Sequence, residues 1–170
     1  IVSSILLFLN AIELIEIRLP DGTSSQLHRE DVTGSNQDFC KQVILIERKG
    51  TTEKKTRWLL IYPPYMEITD KSLLKGLGRA WKTVDRVSFS FAFRLTLHGQ
   101  PLLPRDEYPF HVYFPTQDAS GFRFIINADL YIGASRKHIP ENAYNLWLGK
   151  KAIAFLVSQV VEILKMHFPD

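Results

Sequence analysis

The stretch FRFIINADLYIGASRKHI, residues 122–139, decides how this chain is read. Phe122, Phe124, Ile126, Ala128 and Leu130 alternate with Arg123, Ile125, Asn127, Asp129 and Tyr131, and strand residues two apart share a face. Both faces are partly apolar, so the alternation predicts an internal strand over residues 122–132. Gly133 ends it, Arg136 and Lys137 follow, and a helical pattern begins a few residues on. Arg136 is therefore expected at a strand-to-helix joint, where a cation beside the free amides of a helix start suits an incoming anion such as phosphate.

Downstream, Leu146, Ile153, Leu156, Val160, Ile163 and Leu164 recur at helical spacing, predicting a helix over residues 142–167. Pro140 and Asn142 suit its start and Pro169 its stop. Upstream, Phe110 to Phe114 reads as a short strand and residues 115–121 as a polar turn. Residues 87–98 alternate most cleanly, with Val87, Phe89, Phe91, Phe93, Leu95 and Leu97 on one face. Leu73, Leu74, Leu77 and Trp81 predict a helix from Thr69 or Asp70, weakened by Gly76 and Gly78.

Residues 43–47 and 58–62 read as a hairpin with a charged tip containing Gly50, ended by Pro63 and Pro64. Residues 24–38 are polar and read as loop, with at most a weak strand near Leu27. Before them, Pro20-Asp21-Gly22 is a turn after a strand holding Ile15, Ile17 and Leu19. Ser3 and Ser4 cap a short helix carrying Ile5, Leu6, Phe8 and Leu9. The sum is a mixed α/β (α+β) domain: roughly six or seven strands in a mixed sheet with two or three helices.

With 170 residues, 45% hydrophobic and 23% charged, the chain fits one globular domain over residues 1–170. The 21 basic and 18 acidic residues are spread without a basic block, so a nucleic-acid partner is unsupported. Cys40 is the one cysteine, which excludes an internal disulfide and suits a reducing, intracellular and cytoplasmic setting. No apolar run approaches the roughly 18 residues that span a bilayer. Starting at Ile1 with no basic segment before its first apolar run, the sequence is expected to be a piece of a longer polypeptide.

Motifs for chemistry are sparse. The phosphate loop G-x-x-x-x-G-K-[ST] is absent, and Gly76-Leu77-Gly78 is a fragment of a dinucleotide fingerprint inside an expected helix. Gly133-Ala134-Ser135, with Asp129 and His138 nearby, invites comparison with a hydrolase nucleophile elbow, but Lys137 stands where the second glycine belongs. The 5 histidines, His28, His98, His111, His138 and His167, lack ligand spacing, so no metal site is expected. Asp106-Glu107 in a proline-rich loop reads as solvated charge. Arg136 is left, either as an anion site or as a surface arginine paired with Glu141.

FIINADLYIGASRKHI followed by YNLWL resembles the segment after the ATP-binding lobe in sacsin-like and related members of the GHKL ATPase superfamily, where "INADF…SSR…I…WN…L" recurs. Leu6-Leu7-Phe8-Leu9 is similar to the "LLFL" following that lobe, Val87 to Phe93 to an apolar strand of the family, and Phe114-Pro115-Thr116 to a recurring "F-P-T". The resemblance implies a middle, transducer-like domain related to that of the heat-shock chaperone, docking on an upstream nucleotide-binding lobe of the same chain. It implies that Arg136, in a Ser-Arg step, contacts the γ-phosphate of ATP, with Ser135 and Lys137 beside it; Lys137 stands where the motif has an acid. ATP and Mg2+ are then expected in the full-length protein and not in this fragment, which would not be catalytic alone. The alternative is a non-catalytic interaction or scaffold module, with protein clients and Arg136 structural.

Overall fold

The structure, a computed structural model, describes residues 3–32 and 39–169. A 3-10 turn, Ser3–Leu7, precedes the strands β1 (Leu14–Arg18), β2 (Ser24–Asp31), β3 (Cys40–Lys49) and β4 (Thr52–Ile61). Two short strands, β5 (Met66–Glu67) and β6 (Arg86–Val87), pair apart from the rest. Then come β7 (Phe89–Leu95), β8 (Tyr108–Val112), β9 (Phe114–Phe122) and β10 (Ile125–Ala128). The eight longer strands form one curled, half-barrel sheet in the order β1-β2-β3-β4-β7-β10-β8-β9. All its pairings are antiparallel except β10 with β8, which meet in parallel at Asn127 and His111.

The sheet is apolar on both faces, and each face has its own cover. Val43, Leu45, Trp58, Leu60, Ala92 and Ile125 turn toward the N-terminal segment, whose Ile5, Leu6, Leu7 and Phe8 are all buried. Arg29 fastens that segment to β2: its guanidinium donates to Leu6 O at 3.3 Å and Asn10 Oδ1 at 3.4 Å and pairs with Asp31 at 3.1 Å. Leu59, Ile61, Phe89, Phe91, Leu95, Ile126 and Ala128 turn the other way, toward Tyr144, Leu148, Ala152 and Val160 of the C-terminal helix. Phe155 from that helix meets Phe89 edge-on at 5.7 Å and Phe91 at 6.4 Å.

That helix matches the expected span. It runs as α1 (Ala143–Phe155), a π-helical turn (Leu156–Val160) and α2 (Val161–His167), capped by Asn142, whose Oδ1 accepts from Asn145 N. The hairpin of β3 and β4 is longer than its apolar runs, ten residues a strand. β7 faces as expected through Phe89, Phe91 and Leu95, but Leu97 lies beyond the strand and is 55% exposed.

Four expectations need correction. The helix from Thr69 or Asp70 is instead two 3-10 turns, Lys71–Leu74 and Arg79–Thr83, because Gly76 and Gly78 take φ of +86° and +97° and break the run between them. Leu74 and Leu77 are still buried, so the leucine spacing records burial without a helix. The polar stretch after the first turn is mostly strand, β2, with residues 33–38 outside the described part. Residues 115–121 are not a turn but most of β9, and the strand over residues 122–132 shrinks to the four residues of β10. The domain is thus mainly β with one long helix, where two or three helices were expected.

Gly78 tests the helix correction. At φ +97° and ψ +171° it occupies a region essentially reserved for glycine, so Gly78→Ala should cost about 2 kcal/mol. Thermal denaturation against wild type reads this, and a neutral or stabilising result would favour the helix.

Candidate functional site

Arg136 is not at a helix start. β10 ends at Ala128 and α1 begins at Ala143, so a long connection separates them and the arginine sits midway. There the chain makes a tight turn, with Arg136 N donating to Gly133 O at 2.9 Å and Lys137 N reaching Ser135 Oγ at 3.5 Å. Arg136 takes φ of +55°, a left-handed backbone that costs a residue with a Cβ roughly 1–2 kcal/mol. Ser135, Arg136 and Lys137 are exposed, and among the described residues the Arg136 side chain has no hydrogen bond or ion pair. The pairing with Glu141 is not formed.

Both ends of this exposed turn are fastened by buried or half-buried polar side chains. On the far side, the Asp118 carboxylate of β9 accepts from Ile139 N and from His138 Nδ1, the latter at 2.9 Å, while Gln117 N donates to Lys137 O at 2.7 Å. On the near side Asn145 of α1 is fully used. Its Oδ1 accepts from Tyr131 N at 2.8 Å, and its Nδ2 donates to Tyr131 O at 2.9 Å and Pro140 O at 2.8 Å. Trp81 lies edge-on to Tyr131 at 5.7 Å and to Tyr144 at 4.9 Å, buttressing the same point.

The polar residues of the INAD run complete the anchorage. Asp129 Oδ2 accepts from Ser88 N at 2.7 Å and Ser88 Oγ at 3.0 Å, and its Oδ1 accepts from Tyr113 Oη at 2.9 Å. Its carbonyl accepts from Tyr144 Oη at 2.6 Å. Asn127, 4% exposed, accepts from Tyr113 N at 2.8 Å and so holds Tyr113 at φ +61°. Burial first, then the neighbouring Asp129, pushes the Tyr113 hydroxyl up to about 12, so it stays a donor at neutral pH.

These contacts settle the lesser candidates. Asp129 and His138 face Ser88 and Asp118 respectively, so neither stands by Ser135 and no triad forms. His111 is buried. Its Nδ1 donates to Pro109 O, which leaves Nε2 to accept from Ser4 Oγ at 3.1 Å, and burial holds its pKa below the ordinary imidazole range. His167 pairs with Cys40 Sγ at 3.6 Å. Among the described residues no group of three His, Cys, Asp or Glu could hold a metal. Asp118, Asn127 and Asn145 are side chains that sequence reasoning passed over, and Asp129, weighed there as a partner for Ser135, serves as an anchor instead.

Asp118 gives a pH-dependent prediction. The His138 hydrogen bond, then the Ile139 amide, holds its pKa below the usual aspartate value near 3.8. A folded-state pKa lowered in this way adds stability above the unfolded value and loses it as pH falls through the folded one. The protection factor of the Ile139 amide, its exchange rate relative to that of an unstructured amide at the same pH, should therefore fall in strongly acidic solution and be low at all pH in Asp118→Ala. An amide protected equally in both proteins would show that the clamp is idle.

No protein-family model, curated protein or solved structure matches this chain. No helix of the described residues is long and apolar enough to cross a membrane.

Proposed function

We infer that the chain serves as the middle, transducer-like domain of a GHKL-type ATPase, coupling ATP binding and hydrolysis to conformational change by presenting Arg136 to the γ-phosphate. The observation that carries this reading is an exposed arginine, unpaired among the described residues, at the tip of a turn whose two ends are fixed. A cation left in water costs little and does little, whereas a cation held ready for a second domain can neutralise phosphate charge without reorganising first. Ser135 and Lys137 flank it and would contribute to the same face. The adenine- and Mg2+-binding groups belong to the upstream lobe.

Hydrogen exchange on the full-length protein tests it. ATP should protect residues 133–138 and ADP should not, since only the γ-phosphate reaches them. Equal exchange in both nucleotides would overturn the assignment.

A second reading, a non-catalytic interaction module, is favoured by one observation. Leu146, Ile153, Val157 and Val161 form an exposed apolar line along the C-terminal helix, 41–69% accessible. If that line is the working surface, Ile153→Glu should abolish partner capture while substitution of Arg136 has no effect.

A further inference from the structure

A cleft of about 310 Å³ opens at the end of the sheet where β4 and β8 finish and β7 begins, away from the residues that carry the proposed ATP contact. Its walls are aromatic: Tyr62 and Tyr65 flank Pro63 on one side, and Tyr113 stands on another. Besides the tyrosine hydroxyls, its polar lining comes from Asn10, Lys41, Ser88, Ser90 and Asn127. The volume lies at the lower end of the roughly 300–1,000 Å³ of ligand sites.

We propose that this cleft binds an extended proline-rich segment of a partner protein. The donor and acceptor balance is the first argument. Among the described residues no carboxylate lines the cleft, whereas Asn127 Nδ2 has two hydrogens and one partner there, Ser90 Oγ at a long 3.4 Å. A ligand that fits offers acceptors and few donors. A proline-rich chain does so, since every residue keeps its carbonyl and proline has no N–H.

Charge is the second argument. Lys41 Nζ stands 3.4 Å from Asp31 Oδ2, a carboxylate it shares with Arg29, so this edge of the cleft keeps a partial positive charge that faces acceptor carbonyls favourably. The third is shape and rigidity. Tyrosine rings around a buried Pro63 give flat platforms for pyrrolidine rings, and polyproline helices dock in aromatic-lined grooves because little conformational freedom remains to be lost. Tyr113 is fixed before any ligand arrives, by Asn127 at its amide and Asp129 at its hydroxyl.

The test is fluorescence anisotropy with a fluorescein-labelled decaproline peptide, beside a Gly/Ser decamer. Decaproline should bind saturably, the Gly/Ser peptide should not, and Tyr65→Ala should weaken binding by about tenfold or more. Tyr65 is 69% exposed with no hydrogen bond among the described residues, so this variant keeps its fold, which circular dichroism verifies. Absence of saturable binding, equal binding of the two peptides, or an unchanged affinity in Tyr65→Ala would overturn the proposal. Displacement of decaproline by phenylpropionate at lower concentration than by unlabelled peptide would also overturn it, in favour of a small aromatic acid.

Discussion

Arg136→Ala in the full-length protein is expected to lower ATP turnover by roughly a thousandfold or more while ATP affinity changes by less than about tenfold. The asymmetry follows from where the charge develops. Ground-state affinity comes from the lobe that holds adenine and metal, whereas an arginine reaching the γ-phosphate acts most on the charge that spreads over its oxygens during transfer. Arg136→Lys keeps the charge but loses the planar fork and should recover only part of the rate. The backbone supplies a sharper variant. Arg136 sits at φ +55°, so Arg136→Gly relieves strain and should raise thermal stability slightly while turnover still falls. A stabilised protein with lost turnover separates function from folding in one substitution. Unchanged turnover in both variants would leave Arg136 as a surface residue and favour the interaction module.

The elements legible in the sequence were those whose pattern and burial coincide. β7 reads correctly because Phe89, Phe91 and Leu95 all face the helix core. The span of the C-terminal helix reads correctly because Asn142 caps it, but its face only in part, since Leu146 and Ile153 are exposed while Leu148 and Ala152 join Val160 against the core. Failures came where tertiary pairing overrode local signal. β2 is polar along much of its length, yet it lies between β1 and β3 and takes its hydrogen bonds from both. β9 begins Phe114-Pro115 and holds Gly121, features that read as turn but are tolerated in a strand at the edge of the sheet. In residues 69–81, Leu73 and Leu74 meet the core from the first 3-10 turn, Leu77 from the link after it and Trp81 from the second turn, and periodicity alone could not tell this from a helix because both bury the same side chains.

At the candidate site the sequence singled out the exposed cation and missed what holds it. Asn127 and Asp129 are the polar positions of an otherwise apolar run, and buried polar groups need partners, so their presence was itself a signal. The partners are Ser90 on β7, Ser88 just before it and Tyr113 between β8 and β9, and no local pattern links them to β10. Asp118 was hidden for the same reason: its clamp on Ile139 exists only once β9 lies beside the loop. The feature common to these groups is sequence separation, from 14 to 41 residues between hydrogen-bond partners.

Asn145→Asp is expected to destabilise the domain by about 3–5 kcal/mol at neutral pH, more than Asn145→Ala. Asn145 is 7% exposed and each polar hydrogen of its side chain is used, one on Tyr131 O and one on Pro140 O. Alanine removes three hydrogen bonds and leaves two carbonyls and one amide without a partner. Aspartate keeps the bond from Tyr131 N but sets a second, negatively charged oxygen against those two carbonyls, so repulsion and burial of charge add to the loss. The same argument fixes the pH dependence. Burial and carbonyl contact raise the pKa of the introduced carboxyl, so its penalty is full above that raised value and shrinks as pH falls and a proton restores one donor. Chemical denaturation of the two variants between pH 7 and roughly pH 4.5 reads the difference. The Asp variant should gain on the Ala variant as pH falls. Parallel curves would mean that the Asn145 amide does not hold the Arg136 turn against the helix.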